Sequence, residues 1–210
     1  MPHMTRANLQ LTDYDAEGRP RVEDLELVSA SLSAVLTMEL DGAAGVLELT
    51  TDEILLAALG RAIERTIGAG VVCVDVPCYG TSVQPVELSC MAPAQLDADE
   101  MLAGVHHELD AVAVHRIVHG VPDDPRSGTV SAVLFATGED AAERTHLGHV
   151  LELRAYRRGD VIALDWWFDA RSFESYTVAE LADQFPLAMI ELTSEATPPV
   201  HATHELALAH

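Results

Sequence analysis

The chain has 210 residues, 12 basic and 34 acidic, with a formal net charge of −22 and a pI near 4.5. That length suits a single domain, and a composition 49% hydrophobic and 22% charged supplies a core and excludes wholesale disorder. A surface this acidic repels nucleic-acid phosphates and anionic membrane headgroups, so neither is expected as a partner.

Residues 1–22 read as a flexible polar lead, without the continuous apolar stretch of a signal peptide. No apolar run approaches the roughly 20 residues of a membrane helix. Cys73, Cys78 and Cys90 form an odd count, which fits a reducing cytoplasm better than a disulfide framework. Cys73-x4-Cys78 lacks a second pair to complete a zinc site, so no metal is expected and the thiols read as buried or inert.

Residues 23–41, rich in Val, Leu and Ser and ending at Asp41-Gly42, read as extended. Thr50-x-x-Glu53 has the form of a capping box and opens a helix striped by Leu56, Leu59, Ile63 and Ile67. The run 71–76 (VVCVDV) predicts a strand covered on both faces, and 83–89 a strand in which Pro85 marks either a sheet edge or the strand start. Asp97-x-x-Glu100 opens a second helix carrying Leu102, Val105, Leu109 and Val112. Residues 129–136 form another strand candidate. The stretch 147–156 alternates, with Leu147, His149, Leu151, Leu153 and Ala155 on one face; a turn at 157–160 returns it as 161–169, with Ile162, Leu164, Trp166 and Phe168 inward. Thr177-x-x-Glu180 opens a third helix that continues past a kink at Pro186, and residues 197–210 read as a flexible tail. The order predicts an α/β (α+β) fold, a mixed sheet covered by about three helices, within residues 23–196.

These segments together resemble the C-terminal lobe of the condensation domains of nonribosomal peptide synthetases, members of the chloramphenicol-acetyltransferase-like superfamily. The likeness lies in 50–68 (a helix after a linker), 71–80 (a strand into a Gly-containing loop), 84–89 (a Pro-containing strand), 131–138 and 151–192 (a terminal hairpin and last helix). The resemblance implies half of a two-lobed fold whose catalytic His-His-x-x-x-Asp-Gly motif belongs to the other lobe. The first 49 residues are too few to build that lobe. The family's floor loop between the equivalents of Gly80 and Pro85, and its latch after the equivalent of Phe135, are both short here.

His106-His107-Glu108-Leu109-Asp110 imitates the family motif but has the wrong spacing, lacks the Gly and lies in a helical stripe, so both histidines are expected to face solvent without an orienting carboxylate. His115 and His119 could share a helix face and hold a metal if the helix reaches that far, although Gly120 and Pro122 point to an earlier end. His146 and His149 near a strand start should point to opposite faces, with His149 a satisfied core histidine. Trp166 and Phe168 read as core, with Trp167 on the other face. The acidic residues read as a solvated surface rather than a paired-carboxylate site. Protonation of the ten histidines near pH 6 would partly offset the charge and make association pH-sensitive.

The expectation is therefore a free-standing lobe with no catalytic residue, cofactor or metal of its own and binding residues unassigned. It would dock with a second copy as a homodimer, or with a partner protein in peptide or acyl-lipid assembly. The alternatives are an acyl or peptidyl transferase completed by another chain, and a small-molecule-binding module.

Overall fold

The computed structural model describes residues 8–79, 82–119 and 131–199, apart from the side chains of 79 and 114–119. Its elements are β1 (Leu25–Leu32), α1 (Ala34–Leu47), α2 (Thr51–Thr66), β2 (Gly70–Tyr79), β3 (Ser82–Cys90), α3 (Ala98–His119), β4 (Val133–Thr137), β5 (Leu151–Arg158), β6 (Val161–Asp169) and α4 (Ser175–Glu195). The strands form one mixed sheet in the order β1-β6-β5-β4-β2-β3. β2, β4 and β5 run parallel, and the remaining pairs are antiparallel.

Strand alternation divides the sheet into two chemically different faces. Val72, Val74, Val76, Phe135, Leu153 and Trp166 belong to the main core under the helices. The opposite face carries one register row across all six strands: Leu27, Trp167, Glu152, Leu134, Asp75 and Pro85. The β5–β6 hairpin turns at Gly159, whose φ of 67° suits glycine. Trp166 packs edge-on against Phe185 of α4 at 5.6 Å, as its alternation required. Both sheet edges are defined. At β3 the Glu87 amide donates to Glu108 Oε2 of α3 at 3.3 Å. At β1, among the described residues, no strand pairs with the outer edge.

Two local expectations are corrected. Residues 23–41 are not extended throughout: the strand ends at Leu32, Ser33 caps the Leu36 amide at 3.2 Å, and α1 follows, so the described residues form four helices. The buried positions of α1 are Thr37, Leu40, Ala44 and Leu47, a helical stripe that runs across the presumed stop at Asp41-Gly42. α4 starts at Ser175 rather than after Thr177, because the turn before it is already held: Asp13 Oδ2 accepts from the Glu174 amide at 2.9 Å, and Asp13 and Tyr14 amides donate to the Ser172 carbonyl. The helix continues through Pro186.

α2 is the central element. Every residue from Glu53 to Ile63 is buried, so this helix has no solvent face. Its N-terminus carries the predicted box, with Thr50 Oγ1 accepting from the Glu53 amide and Glu53 Oε2 accepting from the Thr50 amide. Gly60 lets it lie against β3, since a Cβ there would meet the Ser89 carbonyl at 2.8 Å. Arg61, fully buried, donates to the carbonyls of Met91 and Leu96 and lies 3.1 Å from Glu191 of α4. Arg65 pairs with the same carboxylate. Truncation at Arg61 strands the buried-side carbonyls of Met91 and Leu96 and leaves Glu191 with Arg65 alone; loss of one partner of a buried charge typically costs about 3–5 kcal/mol. Arg61→Ala is therefore expected to lower the unfolding free energy by about that amount in urea titrations, far more than Arg65→Ala at the more exposed end of the pair.

Candidate functional site

The carboxyl ends of parallel strands β2 and β4 meet the N-terminus of α2 and the middle of α3. In open α/β sheets this is the end at which ligands bind. A cavity of about 330 Å3 lies there. Its apolar floor comes from Val76, Pro77 and Phe135 of the strands and Leu109 and Val112 of α3; its polar rim is Asp52, Glu53, His106, Asp110 and Thr137.

His106 sits at this rim with its Nδ1 at 2.6 Å from Glu53 Oε1. Burial pushes the Glu53 carboxyl up, but the Thr50 amide and His106 outweigh it and hold it below the ordinary value. His106 is exposed, as expected, but the expectation that it lacks an orienting carboxylate is corrected: that carboxylate comes from a residue 53 positions away in sequence. His107 is exposed and lies outside this cavity. α3 does reach His119, against the expected fraying, but the side chains of His115 and His119 lie outside the described residues.

A second polar cluster occupies the opposite sheet face, beneath the connection 138–150 that links parallel β4 and β5. Gly148, at φ 87°, breaks the alternation read through 147–156, so β5 begins only at Leu151. His146 and His149 therefore do not diverge. They converge on Glu152, with His146 Nδ1 at 2.9 Å from Oε2 and His149 Nδ1 at 3.9 Å from Oε1. His149 is buried, as expected, but on this face: its Nε2 is 2.9 Å from Asp75 Oδ2. Ser131 donates from its amide at 3.0 Å and its hydroxyl at 2.6 Å to the same carboxylate. Arg154 donates to Glu152 from Nε at 3.1 Å and Nη2 at 2.6 Å. Trp167 contacts the His146 ring edge-on at 4.7 Å.

The carboxylates of Asp75 and Glu152 are thus buried and paired rather than part of a solvated surface. Burial raises the Asp75 pKa, and the hydrogen bonds from His149 and Ser131 more than reverse that, holding it below the ordinary value of 3.8. Cys73 is pushed up by burial, against the lowering effect of its bond from Ser131, and Cys90 is pushed up to about 12 by burial, so neither thiol is primed as a nucleophile. This cluster fastens the 138–150 connection to the sheet. The rim of the cavity holds the oriented imidazole.

No family model matches the chain. One component of the phenolphthiocerol/phthiocerol polyketide synthase of Mycobacterium tuberculosis is 32% identical over 257 residues, covering 96% of this chain but 17% of that protein. The Mycobacterium bovis protein of the same name matches equally. The aligned stretch is longer than the 210 residues of this chain, so those relatives carry insertions within it. Among solved structures, the condensation domain of the monacolin K polyketide synthase superposes with a TM-score of 0.66 at 10% identity, over 92% of this chain and 54% of that one. The epimerization domain from the third module of tyrocidine synthetase B gives 0.63 at 13% identity, over 91% and 53%. The X-domain from teicoplanin biosynthesis in complex with OxyB gives 0.65 at 17% identity, over 92% and 50%. The fold is that of a condensation-domain lobe, and its features fit the C-terminal one, as the sequence resemblance implied. Where the family carries its floor loop, β2 and β3 here pair as far as Tyr79 and Ser82, and Gly80 and Thr81 between them lie outside the described residues.

Depressed carboxyl pKa values have a definite sign in stability. Asp75, Glu53 and Asp169 each contribute stability above their ordinary values, and lose it as pH falls through the lowered folded values. Asp169 follows the same pattern, with burial raising it and Arg171 and Ser172 more than compensating. Urea unfolding between about pH 5 and pH 3 is expected to show falling stability, and Asp75→Asn to flatten that slope by removing one depressed group.

Proposed function

We propose that this chain works as one lobe of a condensation-type assembly, docking with a second copy or with a partner protein in peptide or acyl-lipid assembly, and carrying no complete catalytic centre of its own. The observation that carries the reading is the coverage: more than nine-tenths of this chain matches only about half of each condensation-type chain. Three exposed apolar side chains on α1 (Val35, Met38 and Val46) and Leu27 at the open β1 edge supply surface for such a contact. The relationship to a polyketide synthase component supports a setting in acyl-chain assembly, and the X-domain complex is a precedent for a lobed fold of this kind receiving a separate protein. In light scattering after gel filtration, a mass of twice 22.6 kDa, or a stable complex with a co-expressed assembly partner, is the expected result. A monomer that captures no such partner overturns the reading.

A second reading has one specific observation in its favour: the Glu53–His106 pair at the rim of the cavity. A carboxylate on Nδ1 orients an imidazole as a general base. On this reading the lobe contributes a base to acyl transfer completed by another chain. Consumption of an acyl thioester that falls at least about 100-fold in His106→Ala, the usual scale for loss of a general base, would favour it over the docking lobe. Turnover that persists in the variant would reject His106 as that base.

A further inference from the structure

The cavity at the α2 N-terminus has a neighbour. A second space of about 240 Å3 is lined by Asp52, Leu55, Thr137, Tyr156, Arg157 and Ile162, among others. Asp52 and Thr137 line both spaces. Their side chains meet between them, with Thr137 Oγ1 donating to Asp52 Oδ2 at 2.7 Å. Asp52 comes from the first turn of α2 and Thr137 is the last residue of β4, so a side-chain bond joins the helix start to the strand end.

We propose that these are two chambers of a single groove for an elongated amphiphile with a cationic head, and that the Asp52–Thr137 bond is the gate between them. The apolar parts are arranged for a chain: Val76, Phe135, Leu109 and Val112 in the first chamber, Leu55 and Ile162 in the second. A methylene chain gains by leaving water for such walls. The gate opens cheaply, because both side chains are at least partly exposed and water replaces the lost bond.

Charge selects the head. The first chamber's rim presents the carboxylates of Asp52, Glu53 and Asp110, with His106 the only basic side chain lining it among the described residues. The N-terminus of α2, which elsewhere would attract an anion, is here occupied by the Thr50–Glu53 box and Asp52. An alkylammonium therefore finds partners, and a fatty carboxylate meets repulsion. Among the described residues the second chamber has one cation, Arg157, already paired with Asp41. The groove does not depend on the docking of lobes proposed above, so either idea can fail alone.

The test is calorimetric titration of the whole chain with dodecylamine, dodecanoate and butylamine, all below their micellar concentrations. Dodecylamine is expected to bind at one site and dodecanoate not to bind. Thr137→Val, which deletes the gate bond, should bind dodecylamine roughly fivefold more tightly, the worth of one hydrogen bond at a partly exposed position, while butylamine, short enough for one chamber, is unaffected. Thr137→Ser, which keeps the hydroxyl, should behave like the parent, and unchanged thermal unfolding of the unliganded variants verifies their fold. Asp110→Asn should weaken dodecylamine binding, although it removes only one charge from a chain of −22. Equal binding of dodecanoate overturns the assignment of the head. An unchanged ratio between the two amines in Thr137→Val overturns the gate. Indifference to Asp110→Asn means adsorption to the acidic surface and overturns the site.

Discussion

An α-helix with no solvent face must satisfy every polar group it carries from within the protein, and α2 is such a helix from Glu53 to Ile63. Its two buried charges set the form of everything around it. Arg61 reaches the β3–α3 connection and α4, tying both to α2 through one side chain. Glu53 turns back to cap its own N-terminus and reaches across to His106 of α3. Asp52, one residue earlier, meets the end of β4. The cavity at the strand ends exists because α2 is held there by these bonds, and the side chains that hold the helix also furnish the rim.

The second sheet face solves a different problem. The connection between parallel β4 and β5 contains only one short helical turn, Glu139–Ala141, where a full crossover helix is the usual cover. With little apolar cargo, Leu134, Ala136 and Ala141, this side of the sheet is closed by charge pairing instead. Buried ion pairs of this kind add little net stability over apolar packing, but breaking one partner away is expensive. They therefore fix where the connection lies more than they strengthen it.

Much of the fold is legible in the sequence because its signals are local. The Thr50–Glu53 box, the β-branched run of β2, Pro85 on an edge strand and the inward aromatic row of β6 each depend on residues a few positions apart, and each stands where the pattern puts it. α1 escapes such a reading because its buried stripe includes Thr37 and Ala44, which carry little hydropathic signal, and Asp41-Gly42 has the form of a stop. The site is hardly legible. His106 and Glu53 are 53 residues apart, and Asp75 and His149 are 74 apart; no spacing rule connects such pairs. The face of His149 is hidden for a smaller reason: one glycine at positive φ interrupts the alternation just before the strand begins. The resemblance to a condensation-domain lobe supplies what local patterns cannot, that these segments are parts of one lobe of a larger fold.

The two edges of the sheet are unequal, and that inequality governs growth. Along β3 a carboxylate from α3 already occupies a donor that an added strand would need. Along β1, among the described residues, no strand pairs with the outer edge. If two copies paired along β1, as the docking proposal allows, each would use the other's open edge and leave that side nothing for a third. An edge that is spent by the first strand to join it would close an assembly at two rather than propagate it into a fibre.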